Sequence, residues 1–288
     1  IDDLGRLTEG PAWDGEGLYF SHIINGEIYK YFPEEDKAVL KFEKTEGGNG
    51  LKFGPDGNLY ACSMDGQRID RYERDGSRTV IADRCDGQPL NAPNDLAFDA
   101  KGELWFSNPQ YEDFKGGTVL DHASVHRTGQ STESREASRM TYDTTKPNGL
   151  LVSKDQSELY VAEGSNDETH NNFQLRAYSI EGDTLGDYRV LHTFHPHRGI
   201  DGMCLDEDGN IIGCAGSDAS GPGPMLYVFN PDGRVLETHP YPNGKPTNCT
   251  FGGPDLSTIY VADGNGGLFR AKTGRRGLLE PPDEPFNP

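Results

Sequence analysis

The sequence predicts an all-β chain folded as a six-bladed β-propeller with four antiparallel strands per blade, and three observations predict it. An oxygen-bearing side chain opens a similar stretch six times, at Glu9, Asn49, Asn94, Asn148, Asp201 and Asn248, with intervals of 40, 45, 54, 53 and 47 residues. Repeats of this length read as propeller blades or solenoid units. Each opening leads through a short apolar run and a tight turn to a second apolar run, which is the hairpin signature. No stretch carries a helical period of useful length. An eight-stranded sandwich is also built of hairpins, but it leaves the six aligned openings unexplained.

Taken in chain order, each unit supplies its strands. The first opens at Glu9 in EGPAW and continues with Leu18-Tyr19-Phe20, then Glu27–Tyr31 and Val39–Phe42. The second runs from Asn49 through Leu51–Phe53, turns on Asp56-Gly57, and continues with Leu59-Tyr60-Ala61, Ile69–Tyr72 and Thr79–Ala82. In the third, Leu96–Phe98 follows Asn94, Lys101-Gly102 makes the turn, and Leu104-Trp105-Phe106 and Ser124–Arg127 come next. The fourth gives Asn148, Leu159-Tyr160-Val161, Leu175–Tyr178 and Val190–Thr193. The fifth gives Asp201, a turn on Asp208-Gly209, Ile211-Ile212-Gly213 and Leu226–Phe229. The sixth gives Asn248, Ile259-Tyr260-Val261 and Leu268–Ala271. Four strands in each of six units make a six-bladed propeller.

Composition bounds the rest. The 288 residues suffice for one large all-β domain, and the even spread of units leaves no linker, so one domain spanning 1–288 is expected. The 37 glycines fit many tight turns. With 27 Lys and Arg against 47 Asp and Glu, the net charge of −20 argues against nucleic acid and anionic membrane surfaces as partners. There is no apolar stretch long enough to span a bilayer, so a soluble protein is expected. The first residue, Ile1, leaves cytoplasmic and exported locations both open. A closed ring needs no partner for stability, so a monomer or weak homo-oligomer is expected. Cys62, Cys85, Cys204, Cys214 and Cys249 are odd in number and lack CxxC spacing, which argues against a zinc knuckle or a full disulfide framework and for small buried residues. One bridge stays open for an exported chain.

In a propeller the innermost strand lines the central channel, so the six openings meet around one mouth. Carboxylates and carboxamides converging there repel or go unsatisfied unless something occupies the centre. A hard divalent cation removes both problems. Ca²⁺ accepts six to eight oxygens, whereas Zn²⁺ prefers nitrogen or sulfur. Asn and Asp at strand starts also bond local backbone, but Glu9 and Asp201 at equivalent ring positions favour the metal. The same mouth receives the loops between second and third strands. These are long in Ser107–Ala123, Glu163–Gln174 and Ala215–Met225, as substrate-selecting loops on a rigid scaffold are. They carry Asn108, Gln110, Tyr111, Glu112, His122, Asn166, His170 and Asp218; Asn108, Tyr111 and Glu112 follow the third unit's second strand directly.

The runs EGPAW, APND, KPNGL, GIDGMCLDEDGN and PTNCTFGGPDLSTIYV resemble the gluconolactonase family, which includes regucalcin and luciferin-regenerating enzyme, over nearly the whole chain. The resemblance implies a six-bladed propeller with one divalent cation held by Glu9, Asn94, Asn148 and Asp201. Ca²⁺ is the first choice, with Mn²⁺, Mg²⁺ and Zn²⁺ as alternatives. Asn49 and Asn248 then stand behind the ligands or reach the ion through water. The implied chemistry is hydrolysis of a sugar lactone, with Asp201 the candidate base and Glu9 holding the metal. The chain departs from regucalcin at Ala92, where that protein has a sugar-contacting Arg. That puts Asn91 or a loop residue such as Asn108, Tyr111 or Glu112 in the substrate-binding role. Other readings are a phosphotriesterase or another lactonase using the same cation, and a calcium-binding propeller without enzymatic activity.

Overall fold

A computed structural model describes residues 7–111, 119–129, 133–164 and 172–288. The described residues form strands and turns without a helix, and no helix is long and apolar enough to cross a membrane. Blade 1 is β1 (Thr8–Trp13), β2 (Leu18–His22), β3 (Glu27–Phe32) and β4 (Lys37–Glu43). Blade 2 is β5 (Gly48–Phe53), β6 (Leu59–Ser63), β7 (Arg68–Tyr72) and β8 (Arg78–Ala82), followed by a small hairpin, β9 (Arg84–Cys85) and β10 (Gln88–Pro89). Blade 3 is β11 (Leu96–Phe98), β12 (Leu104–Asn108), β13 (Ser124–Thr128) and β14 (Ser138–Arg139). Blade 4 is β15 (Pro147–Val152), β16 (Glu158–Glu163), β17 (Gln174–Glu181) and β18 (Thr184–Thr193). Blade 5 is β19 (Ile200–Leu205), β20 (Ile211–Ser217), β21 (Ser220–Phe229) and β22 (Val235–Pro240), and blade 6 is β23 (Pro246–Gly252), β24 (Thr258–Asp263) and β25 (Leu268–Lys272).

Within each blade the strands pair antiparallel in sequence order. The six first strands touch one another in a closed circuit, β1 to β5, β11, β15, β19, β23 and back to β1. Thr8 seals that last junction: its hydroxyl donates to the Gly267 carbonyl at 2.6 Å, and Thr247 donates to the Thr8 carbonyl at 2.8 Å.

Alternation along the strands explains why the second strands are apolar on both faces. Successive side chains point to opposite faces of a sheet, and in a propeller both faces meet a neighbouring blade. Leu18 and Phe20 therefore pack with Tyr260 of blade 6, while Tyr19 packs with Leu51 and Leu59 of blade 2. The same rule sends Leu104 and Phe106 toward blade 2 and Trp105 toward blade 4. The core is accordingly six apolar clusters, one wedged at each blade junction.

One expectation is corrected. The segment Ala215–Met225 is not an open loop: β20 and β21 continue the ladder to a Ser217–Ser220 pair, with Gly216, Gly221 and Gly223 at positive φ absorbing the irregular register. The sixth sheet has three strands among the described residues, and the chain after β25 crosses the face opposite the ring. There the Leu278 amide bonds the Leu205 carbonyl at 2.9 Å, and the Phe286 amide bonds Asp14 Oδ2 at 2.9 Å. Phe286 is fully buried against Tyr19 and Phe53. All five cysteines are free and buried, and Cys204 Sγ and Cys249 Sγ share a thiol hydrogen bond at 3.5 Å.

Candidate functional site

The local backbone aims the ring residues inward. In five inner strands the pairing to the second strand slips at the ring position: between Glu9 and Ala12, Gly48 and Leu51, Pro147 and Leu150, Ile200 and Met203, and Pro246 and Cys249. In the third blade β11 begins only at Leu96, after Asn94. A bulge bends its strand and redirects a side chain, which frees these residues from the regular ladder. Close approach between blades then dictates the next residue. A Cβ on Gly10 would overlap the Asn49 carbonyl, one on Gly149 the Asp201 carbonyl, and one on Gly202 the Asn248 amide.

Glu9, Asn49, Asn94, Asn148 and Asp201 line one cavity of about 420 Å³, together with Tyr111, Lys146, Arg198 and Lys245. Residues after the second strands, Ile23, Met64, Tyr111, Gly164 and Phe173, share this lining, so the long loops and the ring do meet at one mouth. Three carboxamides are oriented by their own donors. Asn94 Nδ2 donates to the Tyr111 hydroxyl at 2.7 Å, Asn148 Nδ2 to Asp201 Oδ1 at 2.6 Å, and Asn49 Nδ2 to Met64 Sδ at 3.0 Å. Each pairing leaves Oδ1 as the amide's remaining acceptor, and Asn49 Oδ1 is buried without a partner.

Glu9 is buried, and its Oε2 accepts the Gly10 amide at 2.9 Å. Burial first, and the Asp201 charge second, hold its carboxyl well above the usual carboxylate range. Arg198 donates to Asp201 Oδ2, and its other terminal nitrogen bonds the Gly216 and Pro246 carbonyls at 2.7 and 3.1 Å. Beside the ring, burial pushes the Asp95 carboxyl up to about 6, and Asn248 Nδ2 donates to Asp95 Oδ2 at 3.4 Å.

Other sequence-based assignments fall elsewhere. Asn91 is buried and fully used in pinning the third-blade loop: it donates to the His122 carbonyl at 2.9 Å and accepts the Val119 and Leu120 amides at 3.2 and 2.9 Å. Asn108 is fully buried at the end of β12 and is not part of the cavity lining. Both amide atoms of Asn108 are buried without a hydrogen-bond partner. Glu112, Asn166 and His170 lie outside the described residues. Sequence reasoning passed over Lys146, Arg198, Lys245 and Asp95. The signal was present: each of the three cations precedes a ring residue by two or three positions, and Asp95 follows one directly.

The donors suit a hard divalent cation. The set is all oxygen, two acids and several amide carbonyls, as Ca²⁺ takes. Two acids and an orphaned buried carbonyl oxygen in one cavity carry a cost that a cation removes. Among the described residues no three His, Cys, Asp or Glu side chains gather to hold an ion, so any such site relies on the amides.

Known proteins resemble this chain over nearly its whole length. The SMP-30/gluconolactonase/LRE-like region matches residues 7–265. The gluconolactonase of Zymomonas mobilis is 30% identical, covering 93% of this chain and 79% of that relative. Pentonolactonase XacC of Haloferax volcanii is 28% identical over 92% of this chain and 84% of its own. A solved structure of a gluconolactonase from Xanthomonas campestris superposes with a TM-score of 0.80 at 26% identity, covering 93% of this chain and 86% of that one.

Proposed function

The chain belongs to the SMP-30/gluconolactonase/LRE-like family, and from that premise we propose that it is a metal-dependent hydrolase that opens a sugar lactone to the aldonic acid. The observation that carries this reading is the convergence of Glu9, Asn94, Asn148 and Asp201 on one open cavity. These four side chains would hold one divalent cation, Ca²⁺ by their chemistry, with Asn49 beside them. When bound, such an ion supplies Lewis acidity to the lactone carbonyl.

The chain's own groups account for the remainder. Asn148 and Arg198 fix the two oxygens of Asp201, so its carboxylate is held in one orientation, the condition for a base that must meet a water at a set angle. Water oxygen bonds to the carbonyl carbon as its proton passes to Asp201, then the ring C–O bond breaks and the departing ring oxygen takes that proton from Asp201, which restores the carboxylate. Tyr111, held by Asn94, forms part of the wall against which the sugar rests.

The experiment is pH-stat hydrolysis of D-glucono-1,5-lactone by chelator-stripped protein, with Ca²⁺, Mn²⁺, Mg²⁺ or Zn²⁺ returned, beside a phosphotriester. Metal-restored lactone turnover well above the spontaneous rate is expected. Turnover of the phosphotriester alone would replace the reaction while keeping the site.

A further inference from the structure

Three thiols gather where blades 5 and 6 meet. Cys204 of β19, Cys214 of β20 and Cys249 of β23 all belong to the apolar cluster at that junction. Cys204 Sγ and Cys249 Sγ are 3.5 Å apart, and Cys214 also bonds the Cys249 thiol. The Ile212 carbonyl lies 3.5 Å from Cys249 Sγ, so the proton of that thiol has an acceptor other than Cys204. Cys62 and Cys85 sit elsewhere, in the cluster that includes Leu96 and Phe106.

The close pair joins segments distant in sequence and adjacent in space. β19 and β23 are touching inner strands of neighbouring blades, packed so closely that a Cβ on Gly202 would overlap the Asn248 side chain. A disulfide needs its sulfurs about 2.05 Å apart and its Cα atoms within about 7 Å. Between strands this close, bringing the sulfurs in from 3.5 Å asks for side-chain rotation, not for movement of a blade.

An oxidant also has a way in. On the face opposite the ring a second cavity of about 490 Å³ is lined by Trp13, Phe53, Phe98, Phe251 and Leu278 of the crossing tail, and Cys204 is in that lining. Burial holds the Cys204 thiol well above its ordinary range, and the Lys52 ammonium in the same lining works against that. Attack on an oxidant is therefore slow, whereas contact with Cys249 makes the step that follows intramolecular.

We propose that Cys204 and Cys249 are a reversible oxidation site: a peroxide entering the back cavity converts them to a disulfide that clamps the inner strands of blades 5 and 6. The Cys204 sulfur attacks one peroxide oxygen, the O–O bond breaks, and the thiol proton leaves with the other oxygen as water. The sulfur of Cys249 then attacks the resulting sulfenic sulfur and displaces its hydroxyl, which takes the Cys249 proton and leaves as a second water. Two thiols thus give two electrons to one peroxide. The site stands apart from the lactonase reading, since neither thiol lines the ring cavity.

The test exposes the folded chain to hydrogen peroxide, maps its peptides by mass spectrometry without reduction, and measures its melting temperature before and after dithiothreitol. A Cys204–Cys249 peptide pair lighter by two hydrogens is expected, together with a melting temperature raised by about 5 °C or more; dithiothreitol reverses both. The link persists in Cys214→Ala, whereas Cys204→Ala loses the link and the gain in melting temperature. A Cys214–Cys249 link, or a sulfinic or sulfonic acid on an unlinked Cys204, overturns the proposal. So do unmodified thiols in a chain whose Met64, in the lining of the ring cavity, has already oxidised, and a linked chain that melts no higher than the reduced one.

Discussion

Glu9 carries the sharpest conflict between burial and charge in the ring. Its carboxyl sits well above the usual range because burial and then Asp201 disfavour its ionised form. A cation must displace that proton, so Ca²⁺ affinity is expected to weaken as pH falls through the acid range, with a proton released on binding. Calorimetry in two buffers of different ionisation heat reads the release directly. His126 offers a separate check in blade 3. Its imidazole is buried with Nε2 unpartnered, and burial drives its pKa down to about 3. The folded state thus refuses a proton that the unfolded chain accepts near pH 6.5. The stability His126 contributes is complete above that value and is lost progressively as pH falls toward 3. Replacing it, as in His126→Gln, should flatten the acid limb of a melting-temperature profile.

At the scale of elements, the inner strand is where sequence and structure can be compared most closely. Asp-Gly turns and apolar runs located nearly every strand, because hairpins are local and their turn chemistry is written in adjacent residues. The run Leu104-Trp105-Phe106 and strand β12 agree to within two residues. What the pattern could not carry was the bulge at five of the six ring positions and the path of the chain after β25, since both depend on contacts between distant segments. For the same reason the bonds of Asn91 to the third-blade loop could not be read from sequence, where it is a candidate substrate-binding amide. Gly149 embodies the inter-blade constraint. Its Cβ position overlaps the Asp201 carbonyl, so Gly149→Ala must push β15 and β19 apart. A loss of about 1–3 kcal/mol in urea unfolding is expected, with weakened Ca²⁺ binding; an unaltered protein would show that the two strands have room to spare.

Across the whole molecule, six junction clusters and one crossing tail close the ring. The tail brings Phe286 between blades 1 and 2, over the fully buried Lys30–Asp14 ion pair at 2.8 Å. Phe286→Ala removes a fully buried ring from that junction and should cost about 3–5 kcal/mol in denaturant unfolding. The seat is remote from the ring, so loss of stability without loss of Ca²⁺ stoichiometry is expected. The tail's path was invisible in sequence because nothing in residues 273–288 alternates like a strand, whereas the channel mouth was foreshadowed by six openings of one chemical kind.

The most direct measurement is the number of Ca²⁺ equivalents that restores lactone hydrolysis to the chelator-stripped protein, taken side by side with Asp201→Asn. Recovery that saturates at one equivalent in the native chain is expected, with Ca²⁺ affinity down on the order of a hundredfold or more in the variant. Full hydrolysis by the stripped protein, or native-like binding and turnover in Asp201→Asn, would contradict the assignment of the ring as a cation site on which the reaction depends.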